Sequence, residues 1–147
     1  MSDSAAVDTA RELFIAFSEG RTADIQRLVH PDISWTVFGG GPLAGTHEGR
    51  PAFLDLLDRA RELSQHKETT EVKVAVGDDR HAMFLVHVKA DTDFGHLDIE
   101  HTYLFEVAGG AIVSGRTVPC QQDQFTAFWT AAARAATTSE TGTSSHP

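Results

Sequence analysis

Two side chains able to donate or accept protons, His101 and Tyr103, stand two positions apart in the apolar run GHLDIEHTYLFEVAGGAIVSGRTVP, residues 95–119. Read as an antiparallel β-hairpin turning at Gly109-Gly110, this run puts Ile99, His101, Tyr103 and Phe105 on one face. Asp98, Glu100, Thr102, Leu104 and Glu106 fall on the other. An imidazole works as acid or base near neutrality without a large pKa shift. A phenol beside it can donate to a developing oxyanion. The chemistry these types suggest is polarisation or deprotonation of a carbonyl compound. A second imidazole, His87, alternates with Leu85 and Met83 on the preceding strand, so His87 and Leu85 are expected beside His101 on the cavity face. The same pattern also describes partly buried polar residues bonded to backbone or water, and both readings stay open.

Other chemistries find less support. Of His81, His87, His96 and His101, only His87 and His101 share the expected face, and no carboxylate joins them. Two ligands without a third do not make a metal site, so no metal and no cofactor is expected. The run Gly39–Pro42 lacks the Lys-Ser/Thr of a phosphate loop and reads as a flexible rim, with His47 and Arg50 near the cavity mouth. No serine sits in a G-x-S-x-G context, which leaves nucleophilic hydrolysis without a motif.

These residues must be held by a small set of elements. An amphipathic helix over residues 4–18 carries Leu13 and Phe17 towards the core, and a short helix follows over 23–29. A strand over 33–38 puts Thr36 and Phe38 on one face, where they are expected to line the pocket. Pro51 opens a helix with a clear apolar stripe from Phe53 to Leu63. Four strands follow. The second of them is apolar at Met83, Phe84, Leu85, Val86 and Val88, a strand that needs cover on both faces. Helices cover one side, so Phe84, Val86 and Val88 are expected to meet a second copy through the outer sheet face. A short helix from Asp123 closes the domain. Segregated helices and strands indicate an α+β fold, one domain over residues 1–136, with a mobile polar tail over 137–147.

Composition narrows the partners. A chain of 147 residues builds one full core. Its net charge of −9, with scattered Lys and Arg, argues against nucleic acid and anionic membrane surfaces. The lone Cys120, and the absence of a signal-like or membrane-length apolar run, fit a cytoplasmic protein.

The segments LFIAFSEGR, DISWTVFGGGPLAGTHEGRPAF, HTYLFEVAGGAIVSGRTV and DQFTAFW resemble the SnoaL-like branch of the nuclear transport factor 2-like superfamily. That resemblance implies a cone-shaped, strongly curved mixed or antiparallel sheet closed on one side by three helices, commonly in dimers. Positions carried over from relatives fall on residues that lack their chemistry. The carboxylate base of steroid isomerases corresponds to Thr36 and their catalytic tyrosine to Leu13. Their protonated acid corresponds to His101, and the acid–base aspartate of polyketide cyclases corresponds to Thr117. Arg116 is on the strand where relatives that open epoxides use arginine, but alternation points it outward beside Ser114. The resulting expectation is cofactor-independent isomerisation, cyclisation or dehydration of an apolar carbonyl-containing metabolite such as a polyketide or terpenoid. His101, His87 and Tyr103 would be catalytic, and Leu13, Phe17, Thr36, Phe38, Leu85, Ile99 and Thr117 would bind substrate. The alternative is a non-catalytic protein that binds a hydrophobic ligand in the same pocket.

Overall fold

The computed structural model describes residues 4–144, with side chains through Thr137. The elements run α1 (Ala5–Ser18), α2 (Thr22–Leu28), β1 (Val29–Val37), β2 (Gly45–Glu48), α3 (Arg50–Leu63), β3 (Thr69–Gly77), β4 (His81–Thr92), β5 (Gly95–Ala108), β6 (Ala111–Pro119) and α4 (Gln122–Ser144). The strands form one sheet in the order β2-β1-β6-β5-β4-β3. β1 and β6 are parallel and every other pair is antiparallel, so the architecture is α+β with a mixed sheet. The sheet is open and not strongly curled, unlike the bent cone implied by the resemblance. Its irregularities are confined to register shifts in β1, β3 and between β5 and β6.

Local chemistry accounts for the helices on the inner face. Ser4 caps α1, its Oγ accepting from the Val7 N–H at 2.9 Å and donating to the Asp78 carbonyl on the β3–β4 turn. The buried stripe Ala6, Ala10, Leu13 and Ala16 then lies against β3, β4 and β5. Pro51 occupies the first turn of α3, where a missing N–H costs nothing, and Phe53, Leu56 and Leu63 face inward. Two expectations about length fail. β2 was not expected, because its four residues carry no apolar alternation to mark a strand, and they are mostly exposed. α4 is the longest helix rather than a short one, and it continues through the polar stretch expected to be a tail. Residues 145–147 of that stretch lie outside the described residues.

The sheet pairings correct the phase of β4. Ala82, Phe84, Val86, Val88 and Ala90 are buried inward, while Met83, Leu85 and His87 point to the outer face. An apolar run on both faces has no phase of its own. Here it is set by β5, whose Tyr103 and His101 pair with Phe84 and Val86. Phe84, Val86 and Val88 are therefore core, not a surface for a second copy. A bulge at Lys73 flips β3 midway, leaving Val72 inward and Val74 and Val76 outside. Among the described residues no helix is long and apolar enough to cross a membrane.

Candidate functional site

Between the inner sheet face and the helices lies a cavity of about 110 Å³. α1 contributes Leu13, Phe14 and Phe17 to its wall, β1 Trp35 and Val37, and α3 Phe53, Leu56, Leu57 and Ala60. α4 closes it with Phe125 and Trp129, and β5 and β6 supply His101, Tyr103, Phe105 and Thr117. Glu68 and Thr70 enter from the start of β3. The wall is aromatic and tightly meshed: the Phe14 ring lies 5.1 Å from Phe84 and 5.3 Å from Tyr103, and the Trp35 ring lies 5.3 Å from both Phe53 and Phe105. In such surroundings the few polar groups are costly to leave unpaired, and their state decides what the cavity can do.

His101 is only 2% exposed, and burial lowers its pKa from 6.5 to about 4. It is thus a neutral imidazole at physiological pH, able to give or take a hydrogen bond but weak as a base. Its ring stands edge-on to Tyr103 at 5.7 Å and to Phe125 at 5.4 Å, and its Nδ1 has no partner among the described residues. Trp129 Nε1 is likewise buried without a partner. Burial, with the nearby charge of Glu68 as a lesser cause, pushes the Tyr103 phenol further up, so Tyr103 remains an O–H donor. Thr117 Oγ1 accepts the Trp35 Nε1–H at 2.9 Å, fixing the indole across the sheet. Gly115 makes room for that indole, since a Cβ there would come within 2.0 Å of the ring.

Glu68 is the group the sequence concealed. Burial raises its carboxyl from 4.5 to about 7. It sits after a hook in which Gln65 and His66 both adopt left-handed backbone, with φ of 58° and 59°. The hook is closed by bonds from the Gln65 N–H to the Glu62 carbonyl at 3.0 Å and from the His66 N–H to the Arg61 carbonyl at 2.9 Å. The polar run SQHKE reads as loop, yet β3 begins directly after it. Positions 68, 70 and 72 then alternate towards the core, the only sequence signal that would have found Glu68.

A family model described as SnoaL-like domain matches residues 10–115. The chain belongs to the SnoaL-like family. Solved structures similar to this SnoaL-like chain include Bal32a from a soil-derived mobile gene cassette, at 21% identity and a TM-score of 0.81, covering 85% of this chain and 96% of that one. A candidate SnoaL-like polyketide cyclase from Jannaschia sp. CCS1 has 14% identity and a TM-score of 0.72, covering 84% and 91%. TerC co-crystallised with polyporic acid has 12% identity and a TM-score of 0.69, covering 78% and 91%. At these identities the likeness is one of fold. No curated protein matches the chain.

Within this SnoaL-like cavity the structure brings together His101, Tyr103, Leu13, Phe17 and Thr117 as expected. Ile99 points inward and is buried, but it belongs to the core beyond the cavity wall. Four other expected site residues are elsewhere: Thr36, Phe38, His87 and Leu85. Thr36 is on the outer side of β1, its Oγ1 3.0 Å from Thr46 Oγ1, and Phe38 is 43% exposed. The phase of β1 follows its buried apolar set Ile33, Trp35 and Val37, so Trp35 and Val37 take the cavity positions. His87 is outside with Leu85; its Nε2 bonds Asp98, and that bond holds the Asp98 carboxyl below its usual range. It therefore cannot serve as the cavity base.

The glycine-rich run also has another role. A Cβ at Gly39 would meet Phe125 at 3.1 Å, and one at Gly40 would meet Thr126 at 2.9 Å, so these glycines bed α4 closely. The Gly40 N–H donates to Thr126 Oγ1 at 2.9 Å. His47 and Arg50 are tethers rather than mouth residues: His47 Nε2 bonds the Leu43 carbonyl at 2.9 Å, and Arg50 donates to the Val29 carbonyl through Nε at 3.1 Å and Nη2 at 3.0 Å. Arg116 is exposed on the outer face, as alternation requires. Among the described residues no group of three or more His, Cys, Asp or Glu could hold a metal ion.

Proposed function

We propose that this SnoaL-like protein is a small-molecule enzyme performing cofactor-independent acid–base chemistry on an apolar, carbonyl-containing metabolite. One observation carries this: a neutral imidazole and a protonated phenol, His101 and Tyr103, share the wall of a cavity that is otherwise almost wholly apolar. In a water-poor site such donors strengthen as negative charge develops on a carbonyl oxygen. Tyr103 donates to that oxygen, and His101 donates beside it. Its low basicity suits this role better than proton abstraction. Isomerisation, cyclisation and dehydration all pass through such an oxyanion. A cavity of about 110 Å³ admits only the edge of a substrate, so a polyketide or terpenoid would insert its reacting carbonyl end there. That volume is below the roughly 150 Å³ of an engineered cavity that holds benzene.

The test is to purify the protein from its source, identify co-purified ligand by native mass spectrometry, and follow its conversion. His101→Ala should lower turnover about 100-fold, as loss of an oxyanion donor does, with ligand still bound. A ligand that is held but never converted would instead make this a binding protein, the alternative left by the substituted Thr36 and Thr117 positions.

We further propose that the protein pairs with a second copy through its outer sheet face. Val74, Val76 and Met83 are 50%, 54% and 49% exposed there, and strand pairing places Leu85 and Leu104 beside them. A contiguous apolar patch of this kind marks an interaction surface.

A further inference from the structure

With His87 outside, the cavity needs another proton acceptor. We propose that Glu68 is that acceptor and that its carboxylate reaches solvent through the cleft at the C-terminal ends of α1 and α3; this assignment rests on the acid–base reading above. Glu68 borders two spaces at once. It lines the cavity, and it also lines an outer cleft with Phe17, Ser18, Glu19, Arg61 and His66. Glu68 is half-buried, and among the described residues its side chain has no hydrogen bond and no ion pair to hold it as a carboxylate.

The charged and titratable groups around it leave it uncompensated. Arg61 of α3 is committed elsewhere, donating to the Phe17 carbonyl at 3.0 Å and stacking on the Phe17 ring at 4.7 Å. Lys67 is turned towards Asp93 at 4.0 Å, and Glu19 is paired with Arg21 at 3.0 Å. His66 lines the cleft side, while Tyr103 and His101 of β5 border the cavity side. Desolvation without a compensating cation keeps the proton on Glu68 until about neutrality, the range in which a general base is most effective.

The step balances without a co-reactant. A Glu68 carboxylate oxygen takes a proton from the carbon beside the substrate carbonyl. The C–H electron pair becomes the C=C bond of an enolate, and the enolate oxygen accepts a hydrogen bond from the Tyr103 hydroxyl. Glu68 then returns the proton to another carbon of the conjugated system, or to a departing hydroxyl.

Benzisoxazole tests this without the natural substrate. It is neutral and planar and can insert its isoxazole edge; a base removes its ring C–H, the N–O bond breaks, and cyanophenolate is released, read by its near-ultraviolet absorbance. Binding is followed separately by quenching of Trp35 and Trp129, the chain's two tryptophans, both on the cavity wall. The expected result is elimination that rises with pH through about 7 and falls about 100-fold in Glu68→Gln, with binding retained. Glu68→Asp, which withdraws the carboxylate by one methylene, should keep the pH profile at a lower rate. An infrared band of a protonated carboxyl that titrates near neutrality should vanish in Glu68→Gln. Bound probe eliminated equally fast by the wild type and Glu68→Gln, or not eliminated at all, overturns the role of Glu68 and leaves the oxyanion reading standing. Failure of the probe to bind overturns both.

Discussion

Glu68 and His101 respond to pH in opposite directions. The folded-state pKa of His101 is lowered from 6.5 to about 4, so between these values the unfolded chain takes up a proton that the folded one refuses. Stability from this residue is present above pH 6.5 and is lost as pH falls towards 4. Glu68 is raised from 4.5 to about 7, so its contribution is present below pH 4.5 and is lost as pH rises through 7. Each is worth on the order of 3 kcal/mol across its window, since one pKa unit is about 1.4 kcal/mol. The windows overlap, and the two slopes offset each other over most of the acidic range. Chemical denaturation of the wild type should therefore show little pH dependence from these groups between 4.5 and 6.5. Glu68→Gln should unmask a stability that climbs with pH through that interval. A Glu68→Gln curve as flat as the wild-type curve would refute the opposed burial of the two groups.

At the scale of elements, the cavity depends on how closely β1 and β6 approach. Trp35 of β1 lies over Gly115 of β6 and is pinned by Thr117, while its ring meets Phe53 of α3. Gly115→Ala places a methyl group inside the indole, and neither the parallel β1–β6 pairing nor α3 offers the ring a free direction. Overpacking of this kind costs about 1–3 kcal/mol. The variant should melt at lower temperature and lose probe binding, as read by calorimetry and Trp fluorescence. Unchanged binding with unchanged melting would show that the indole is not fixed as described. The same scale explains which positions could be read early. β5 alternates cleanly over Ile99, His101, Tyr103 and Phe105, so its inward face was legible. β4 is apolar on both sides and β3 carries a bulge, so their phases were set by neighbours rather than by their own residues.

For the whole molecule, the open sheet separates two apolar surfaces with different fates. The inner one is consumed by four helices, whereas the outer one leaves Val74, Val76 and Met83 about half exposed. Sedimentation at micromolar concentration should show a dimer, and Met83→Glu should shift it to monomer with the cavity still able to bind benzisoxazole. A wild-type monomer under those conditions would refute the pairing. The residues first assigned to this surface, Phe84, Val86 and Val88, are buried on the opposite side.

Local pattern alone determined the class of this fold, the helical stripes, and the presence of His101 and Tyr103 on an apolar strand face. Such features follow from periodicities of 3.6 and 2, which each element carries within itself. Tertiary structure decided the rest. It placed His87 outside and Trp35 inside, because strand phase is a property of a pairing and a one-residue slip exchanges the two faces. It also brought Glu68 from a polar connection to the cavity edge, where desolvation rather than any neighbour in sequence raises its carboxyl to about 7.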